Sequence, residues 1–459
     1  MTTKVSLLKT QREHKNSEES VFTKDLSSLI SKYKSFRFGP GKKSELTYGH
    51  PIYFFEHYKS DLDQLKELES SYYRHKKICD NEERGAPRYC DHKKFAEDDR
   101  KNYSNLSKQI LERKRVGRKK LMEITSSLIS LTSTPQNCVE VLATLYNVSD
   151  SQSSTKTREA MINNNETLKS LYTGSLVGLI IDTLIEQGHR FSSPEVNSQL
   201  LRETNSNGDA IAFSLKMTAV MASLTYNIGL ASPRVTSFFE EGDIYGPLNI
   251  DSKVDSKKKE AYRRKQLVKE IQKESQKYLK KGLSLDPIKP NDNLPLDVEQ
   301  LHHMLEHFNS ATDEFGSILK VAMNYSAFLF PKNFNSHNNS SFALKAYDLL
   351  NNGVDQGFFR ADIVGALQSK IGYYPPGSVH LLRDSTYQPP SDDYYMVSDF
   401  LLDKDKPKTV KTSRLTSSGT SNILRTPKHS IKTLEHGKSP VKDIRGLFGK
   451  SIHPKKIFQ

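Results

Sequence analysis

Between residues 165 and 371 the apolar side chains recur every three or four positions, and that period suits helices and little else. Leu168, Leu171, Tyr172, Leu176, Leu179 and Leu184 mark one such helix, with Gly188 where a C-cap belongs. Asp209 opens a second, Ile211 to Leu230, which is apolar on nearly every face and is therefore expected at the centre of the core. Pro295 and Asp297 start a third, whose buried stripe is Val298, Leu301, Leu305 and Phe308. Ile318 to Phe330 forms another, stopped by Pro331. Ser341 to Asn352 is amphipathic and closes at Gly353, and Arg360 to Ile371 is the last helix before Gly372-Tyr-Tyr-Pro-Pro-Gly377. No convincing strand interrupts this series, and the expected fold class is all-α.

The flanks differ from this core. Residues 1–150 read as a separate region of mostly charged helices, with expected helices at 60–78 and from Phe95 to about Leu131. A polar bridge at 148–165 separates that region from the helical domain, which is expected to span 165–385. After 403 the chain is rich in Ser, Thr, Lys and Pro, and no aromatic residue lies between Phe400 and Phe448. A segment of that kind buries too little apolar surface to offset its ordering entropy, so 403–459 is expected to be a disordered basic tail.

The net charge of +14 is local. Residues 253–281 carry +8 and residues 403–459 carry +10, which leaves −4 over the other 373 residues. Most of the chain is therefore electrostatically ordinary, and any polyanion contact is confined to two segments. Lys257, Lys258, Lys259, Arg263 and Arg264 in the first, and Lys455 and Lys456 in the second, are the candidate contacts. The acid-poor tail is the stronger candidate, for salt-sensitive binding to nucleic acid or an anionic surface. Lys/Glu alternation in the first segment suits a solvated helix face instead.

Three cysteines, Cys79, Cys90 and Cys138, are too few for a disulfide framework, which fits a reducing compartment. The most apolar run, Gly174 to Ile181, ends at Asp182, and the first residues hold no signal-peptide core. A cytoplasmic location without a membrane span is the expectation. Cys79, Cys90 and His92 offer three zinc-ligand types, but the spacing of the cysteines fits no common pairing and no fourth ligand is evident, so zinc is disfavoured.

The segments Ile318-Leu-Lys-Val-Ala322, Phe342-Ala-Leu-Lys-Ala346, Gly357-Phe-Phe-Arg-Ala-Asp-Ile-Val364 and Tyr374-Pro-Pro-Gly-Ser-Val379 follow one another in a characteristic order. This cadence resembles the C-terminal half of the HD-GYP domains, the bacterial cyclic di-GMP phosphodiesterases. By helix order the resemblance extends back to about residue 165. It implies an HD-GYP-like helical bundle and, in active members, a cluster of His and Asp ligands. That cluster holds two or three iron or manganese ions, which lower the pKa of an attacking water.

At the positions the resemblance assigns to those ligands stand Tyr172, Tyr226, Asn227 and Met323. Phenol, amide and thioether are poor substitutes for imidazole and carboxylate at a hard dimetal site. The HHE…DGSGYP signature is absent, and no histidine lies between His189 and His302. The resemblance therefore implies a degenerate member with no catalytic residues and no cofactor. Its expected role is regulatory or scaffolding, with cyclic di-GMP or a signalling protein as partner. Two alternatives stay open: polyanion binding through the tail, or a working phosphodiesterase. The latter would hold iron or manganese on His302, His303, His307 and Asp313. His302, His303, Glu306 and His307 form the remnant metal candidate, disfavoured because His303 and His307, with Glu306 beside them, share the face opposite the Val298 to Phe308 stripe, which should be solvated.

Overall fold

The computed structural model describes residues 22, 24–39, 49–151, 158–193, 196–197, 208–235, 256–287, 295–330, 340–382, 393–397, 399–401, 409–415 and 431–433. Its helices are α1 (24–38), α2 (Pro51–Asn81), α3 (Pro87–Leu131), α4 (Pro135–Ser151), α5 (Arg158–Glu186) and α6 (Gly208–Thr225). They continue as α7 (Ser256–Lys277), α8 (Val298–His307), α9 (Glu314–Leu329), α10 (Ser340–Asp355) and α11 (Ala361–Lys370). The helical core is all-α, as the apolar period requires. The chain divides into two units, 1–34 with 124–225 and 293–459, and 35–123 with 226–292.

The first unit is organised around α5. Every residue from Glu166 to Ile181 is buried, because α4, α6, α9 and α11 all pack on this helix. A helix buried on all sides cannot leave its polar groups to water, and the Ser and Thr hydroxyls of α5 bond locally. Thr173, Ser175 and Thr183 donate to the carbonyls of Lys169, Leu171 and Leu179 at 2.7, 3.0 and 2.7 Å, and Lys169 pairs with Glu166 at 3.2 Å. Gly174 permits the tightest approach: a Cβ there would lie 2.9 Å from Leu128 and 3.0 Å from Ser223. By length and composition the stretch Asn165–Glu186 of α5 is apolar enough to cross a membrane, yet 89% of its most apolar window is buried inside the protein.

Four short strands follow the helices: β1 (Val379–Leu382), β2 (Asp393–Val397), β3 (Thr409–Leu415) and β4 (Ile431–Thr433). They form an antiparallel meander in sequence order, with Val379 opposite Met396, Tyr394 opposite Leu415 and Thr409 opposite Thr433. Gly377, at φ +87°, turns the chain into it, and Val397 packs with Tyr374, Tyr373 and Leu401. The tail read as disordered from 403 thus contributes β3 and β4, and its other residues lie outside the described ones. Mutual backbone pairing accounts for these strands, and a composition argument about side-chain burial does not register it.

The second unit consists of α2, most of α3, α7 and two short turns. The charged helices are longer than the apolar spacing suggested. α2 begins at Pro51 and takes in the aromatic cluster, and α3 begins at Pro87, a residue suited to a first helical turn. Asp61 and Arg113 form an ion pair between these helices, with the guanidinium 5.0 Å from the Tyr53 ring centroid. Phe54 lies edge-on to Tyr278, at 5.4 Å, and the Tyr278 hydroxyl donates to the Gly49 carbonyl at 3.2 Å. The division differs from the boundary read at 148–165. α4 is apolar and packs on α5, whereas 226–292, assigned from the sequence to the helical domain, groups with 35–123.

The 3₁₀ turn Ile228–Ala231 lies against α7 through Gly229. Its N–H donates to the Ser275 hydroxyl at 2.9 Å, and a Cβ at this position would stand 2.3 Å from the Ile271 carbonyl oxygen. The obstacle is backbone, which cannot rotate aside. Gly229→Ala is therefore expected to cost about 1–3 kcal/mol, read as a lower thermal midpoint by circular dichroism with helix content retained at low temperature.

Candidate functional site

In the first unit a group of charged side chains gathers where three elements end or begin. Gly188, at φ +67°, terminates α5, and the His189 N–H closes that end by donating to the Leu184 carbonyl at 2.9 Å. Asp313 caps α9, accepting from the Gly316 N–H at 2.6 Å, which puts Glu314 in the first turn. Arg360 precedes α11, and Asp362 stands in its first turn. Acidic groups at helix N-termini meet the positive end of the helix dipole, a local reason for both placements.

The Glu314 side chain is only 1% exposed, and both its oxygens are engaged. Oε2 accepts from the Ser192 N–H at 2.7 Å and the Ser192 hydroxyl at 2.9 Å. Oε1 lies 2.8 Å from His189 Nε2 and 3.4 Å from Arg360 Nη2. Arg360 also grips Asp362 at both ends of its carboxylate, at 3.1 and 2.6 Å, and His189 Nε2 stands 3.9 Å from Asp362. Phe191 shields one side, edge-on to the His189 ring and stacked on Phe315 at 5.6 Å.

One ligand atom from each of His189, Glu314 and Asp362 lies within 4.8 Å of the others, a spacing that suits a metal ion. The chemistry of the group points elsewhere. A guanidinium already neutralises the two carboxylates in a partly buried setting, and a divalent cation would have to displace it or sit beside it. What the arrangement does is tie the end of α5 to the starts of α9 and α11. Burial works to raise the Asp362 pKa, but the hydrogen bonds and charge of Arg360 outweigh it and hold the carboxyl below its ordinary range. Asp362 in turn keeps the Arg360 guanidinium protonated more firmly than usual, against the effect of partial burial.

The residues singled out from the sequence do not converge. Tyr172 is wholly buried on α5, 5.2 Å from the Phe330 ring. Its hydroxyl finds no hydrogen-bond partner among the described residues, and burial, with Tyr325, Tyr146 and Cys138 nearby, pushes its pKa well up. Met323 is half-buried on α9 in the same unit. Tyr226 and Asn227 belong to the second unit, where their carbonyls accept from Ser275 at 3.1 Å and from Arg37 at 3.2 Å. His302 is buried on α8, because α8 packs on both α6 and α9. Glu306 and His307 are exposed as expected, with His307 stacked on His303 at 4.2 Å and bonded to the His303 carbonyl. His303 meets the capping Asp313 at 2.5 Å. Lys257, Lys258, Lys259, Arg263 and Arg264 lie in α7, but their side chains, and all of Lys455 and Lys456, fall outside the described residues.

His189, Glu314, Arg360 and Asp362 were not singled out as a site from the sequence. Their separation, up to 173 residues between His189 and Asp362, leaves no local pattern to read. The only signal is the acid in the first turn of α9 and of α11, which many helices share. Comparison with known protein families, with curated proteins and with solved structures finds no match to this chain.

Two outcomes follow from this geometry. Removing the guanidinium leaves the Glu314 and Asp362 carboxylates facing each other, so Arg360→Ala should cost about 2–3 kcal/mol at neutral pH. The folded-state value of Asp362 lies below the unfolded one, near 3.9. Its stabilisation is thus complete above that value and is lost as pH falls through the folded-state value. Denaturation midpoints of wild type and Arg360→Ala should accordingly stay apart above about pH 4 and converge as pH falls below it. In the same unit, burial pushes the Cys138 thiol up to about 12, with Asp182 raising it further and Lys216 opposing. Alkylation at pH 8 should modify the exposed Cys90 rapidly and leave Cys138 unmodified until the protein is denatured, as peptide mass spectrometry would show.

Proposed function

We propose that this chain is a non-hydrolysing, HD-GYP-like regulatory or scaffold protein that acts by binding a partner, in cyclic di-GMP signalling. The observation that carries the reading is Arg360, whose guanidinium already neutralises the acidic groups with metal-site spacing. It is supported by the fate of the other candidate positions. Tyr172 is part of the packed core, and His303 is engaged by a helix cap in place of a metal. The order of the core helices and the Tyr374-Pro-Pro-Gly-Ser-Val379 close supply the resemblance itself. Fold resemblance speaks for architecture far more than for chemistry, so the cyclic di-GMP connection is the part most in need of testing.

The test is incubation of the purified full chain with cyclic di-GMP, with manganese and, anaerobically, with ferrous iron, followed by chromatography of the products and a parallel thermal-shift titration. Intact nucleotide together with a saturable rise in the thermal midpoint is expected. Linear dinucleotide or GMP formed by the wild type but not by His303→Ala would overturn the non-hydrolysing reading. No thermal shift at millimolar nucleotide would remove cyclic di-GMP as the ligand.

A further inference from the structure

In the second unit, α2 and α3 form an antiparallel hairpin with a regular seam. On α2, Asp61, Leu65, Leu68, Tyr72, His75 and Cys79 recur at alternating steps of four and three residues, and all are partly buried. On α3 the same steps join His92, Ala96, Asp99, Tyr103, Leu106, Ile110 and Arg113, of which only Tyr103 is exposed. Contacts across the seam pair His75 with His92 and Asp61 with Arg113. This is the spacing of a two-stranded coiled coil, so the heptad also defines which residues lie farthest from the partner helix. On α3 those are Lys94, Lys101, Lys108 and Arg115, one cation every seven residues, or about 10 Å. On α2 the equivalent row is Asp63, Ser70 and Lys77, so a cationic outer row is particular to α3.

All four residues of the α3 row are exposed, and among the described residues none of them forms an ion pair. Glu97 and Glu112 stand four residues from Lys101 and Lys108, the spacing at which a solvated helix face pairs its charges, yet the charges stay apart. From Arg100 to Lys120 the helix holds nine basic residues and one acid, Glu112, a net +8 that equals the charge of 253–281 in fewer residues. Acids elsewhere cancel this charge in a sum over the rest of the chain, which is why polyanion contact was expected from two segments only. We infer that the α3 row is a docking track for the phosphate backbone of nucleic acid, bound without regard to base sequence and independent of the proposed function. Phosphate oxygens accept from Arg, Lys and Ser, and Arg100, Ser104, Ser107 and Lys119 flank the row. From Lys94 to Arg115 the row runs about 30 Å, the rise of about nine base pairs. Two other occupants fit less well. A helix lying on a membrane needs an apolar face between its cations, and only Leu111 projects beside this row. A second copy laid row to row would set like charges against each other.

The test is fluorescence anisotropy of a labelled duplex of about 30 base pairs, titrated with the full-length protein at several salt concentrations. Binding that weakens steeply with salt is expected. The triple variant Lys101→Gln/Lys108→Gln/Arg115→Gln should make the slope of log Kd against log salt shallower by about 3, roughly one per cation removed. Lys66→Gln/Lys76→Gln/Lys77→Gln removes the same charge from α2 and should keep the wild-type slope. The replaced side chains are exposed and Gln is a good helix former, so circular dichroism of both variants should match the wild type. An α3 variant with the wild-type slope assigns the binding to another basic segment and overturns the site, as does an equal loss in the α2 variant. Absence of duplex binding at about 50 mM salt overturns it too, and so does binding to phosphatidylserine vesicles alone. As a readout that needs no variant, acetylation of Lys101 and Lys108 in the wild type, followed by peptide mass spectrometry, should slow on adding the duplex. Unchanged rates count equally against the site.

Discussion

A helix without a polar face has one stable environment, the inside of other helices, and the first unit is arranged to provide it for α5. Sixteen consecutive residues, Glu166 to Ile181, are buried. At about 1.5–3 kcal/mol for each large apolar side chain removed from water, this one helix carries a substantial share of the unit's stabilisation. Enclosure has conditions. Hydroxyls on α5 bond back to its own carbonyls, Lys169 is neutralised by Glu166, and Asp182 is met by Lys216 at 2.7 Å. Gly174 leaves room for the side chains of Leu128 and Ser223, which a Cβ there would meet at 2.9 and 3.0 Å. The positions of α4, α6, α9 and α11 follow from covering the same cylinder.

The charged tie at the end of α5 is a consequence of that packing. Where α5 stops, His189 emerges beside the N-termini of α9 and α11, and two buried or half-buried carboxylates would repel each other there without Arg360. His189, Glu314 and Asp362 have metal-site spacing, but the guanidinium decides their character. Proximity of ligand types is not sufficient for a metal centre, because the net charge of the group and the saturation of its lone pairs also count.

Much of the helical core was legible in the sequence, and the reasons are local. Pro295 with Asp297, Pro331 and Gly188 punctuate segments of clear apolar period, and α8, α9, α10 and α11 fall close to where the period sets them, though α10 runs through Gly353 to Asp355. The charged helices were recognisable in kind but not in extent, since residues 51–59 hold adjacent aromatics rather than a helical period, and residues 87–94 are nearly all polar, where helix continues through backbone cooperativity. The meander was illegible from composition. Its register is written in pairings such as Val379 with Met396 and Thr409 with Thr433, across connections of unequal length.

By itself the sequence determined most of the core helices, which of them must be buried, and that the surplus positive charge is concentrated at 253–281 and 403–459. Periodicity, caps and charge counts act over a few residues and are written in order along the chain. Tertiary structure alone decided that 226–292 groups with 35–123, that Arg360 reaches both Glu314 and Asp362, and that His75 is the residue opposite His92. Those outcomes depend on how whole helices pack, and packing brings together residues whose separation in sequence carries no trace of their distance in space.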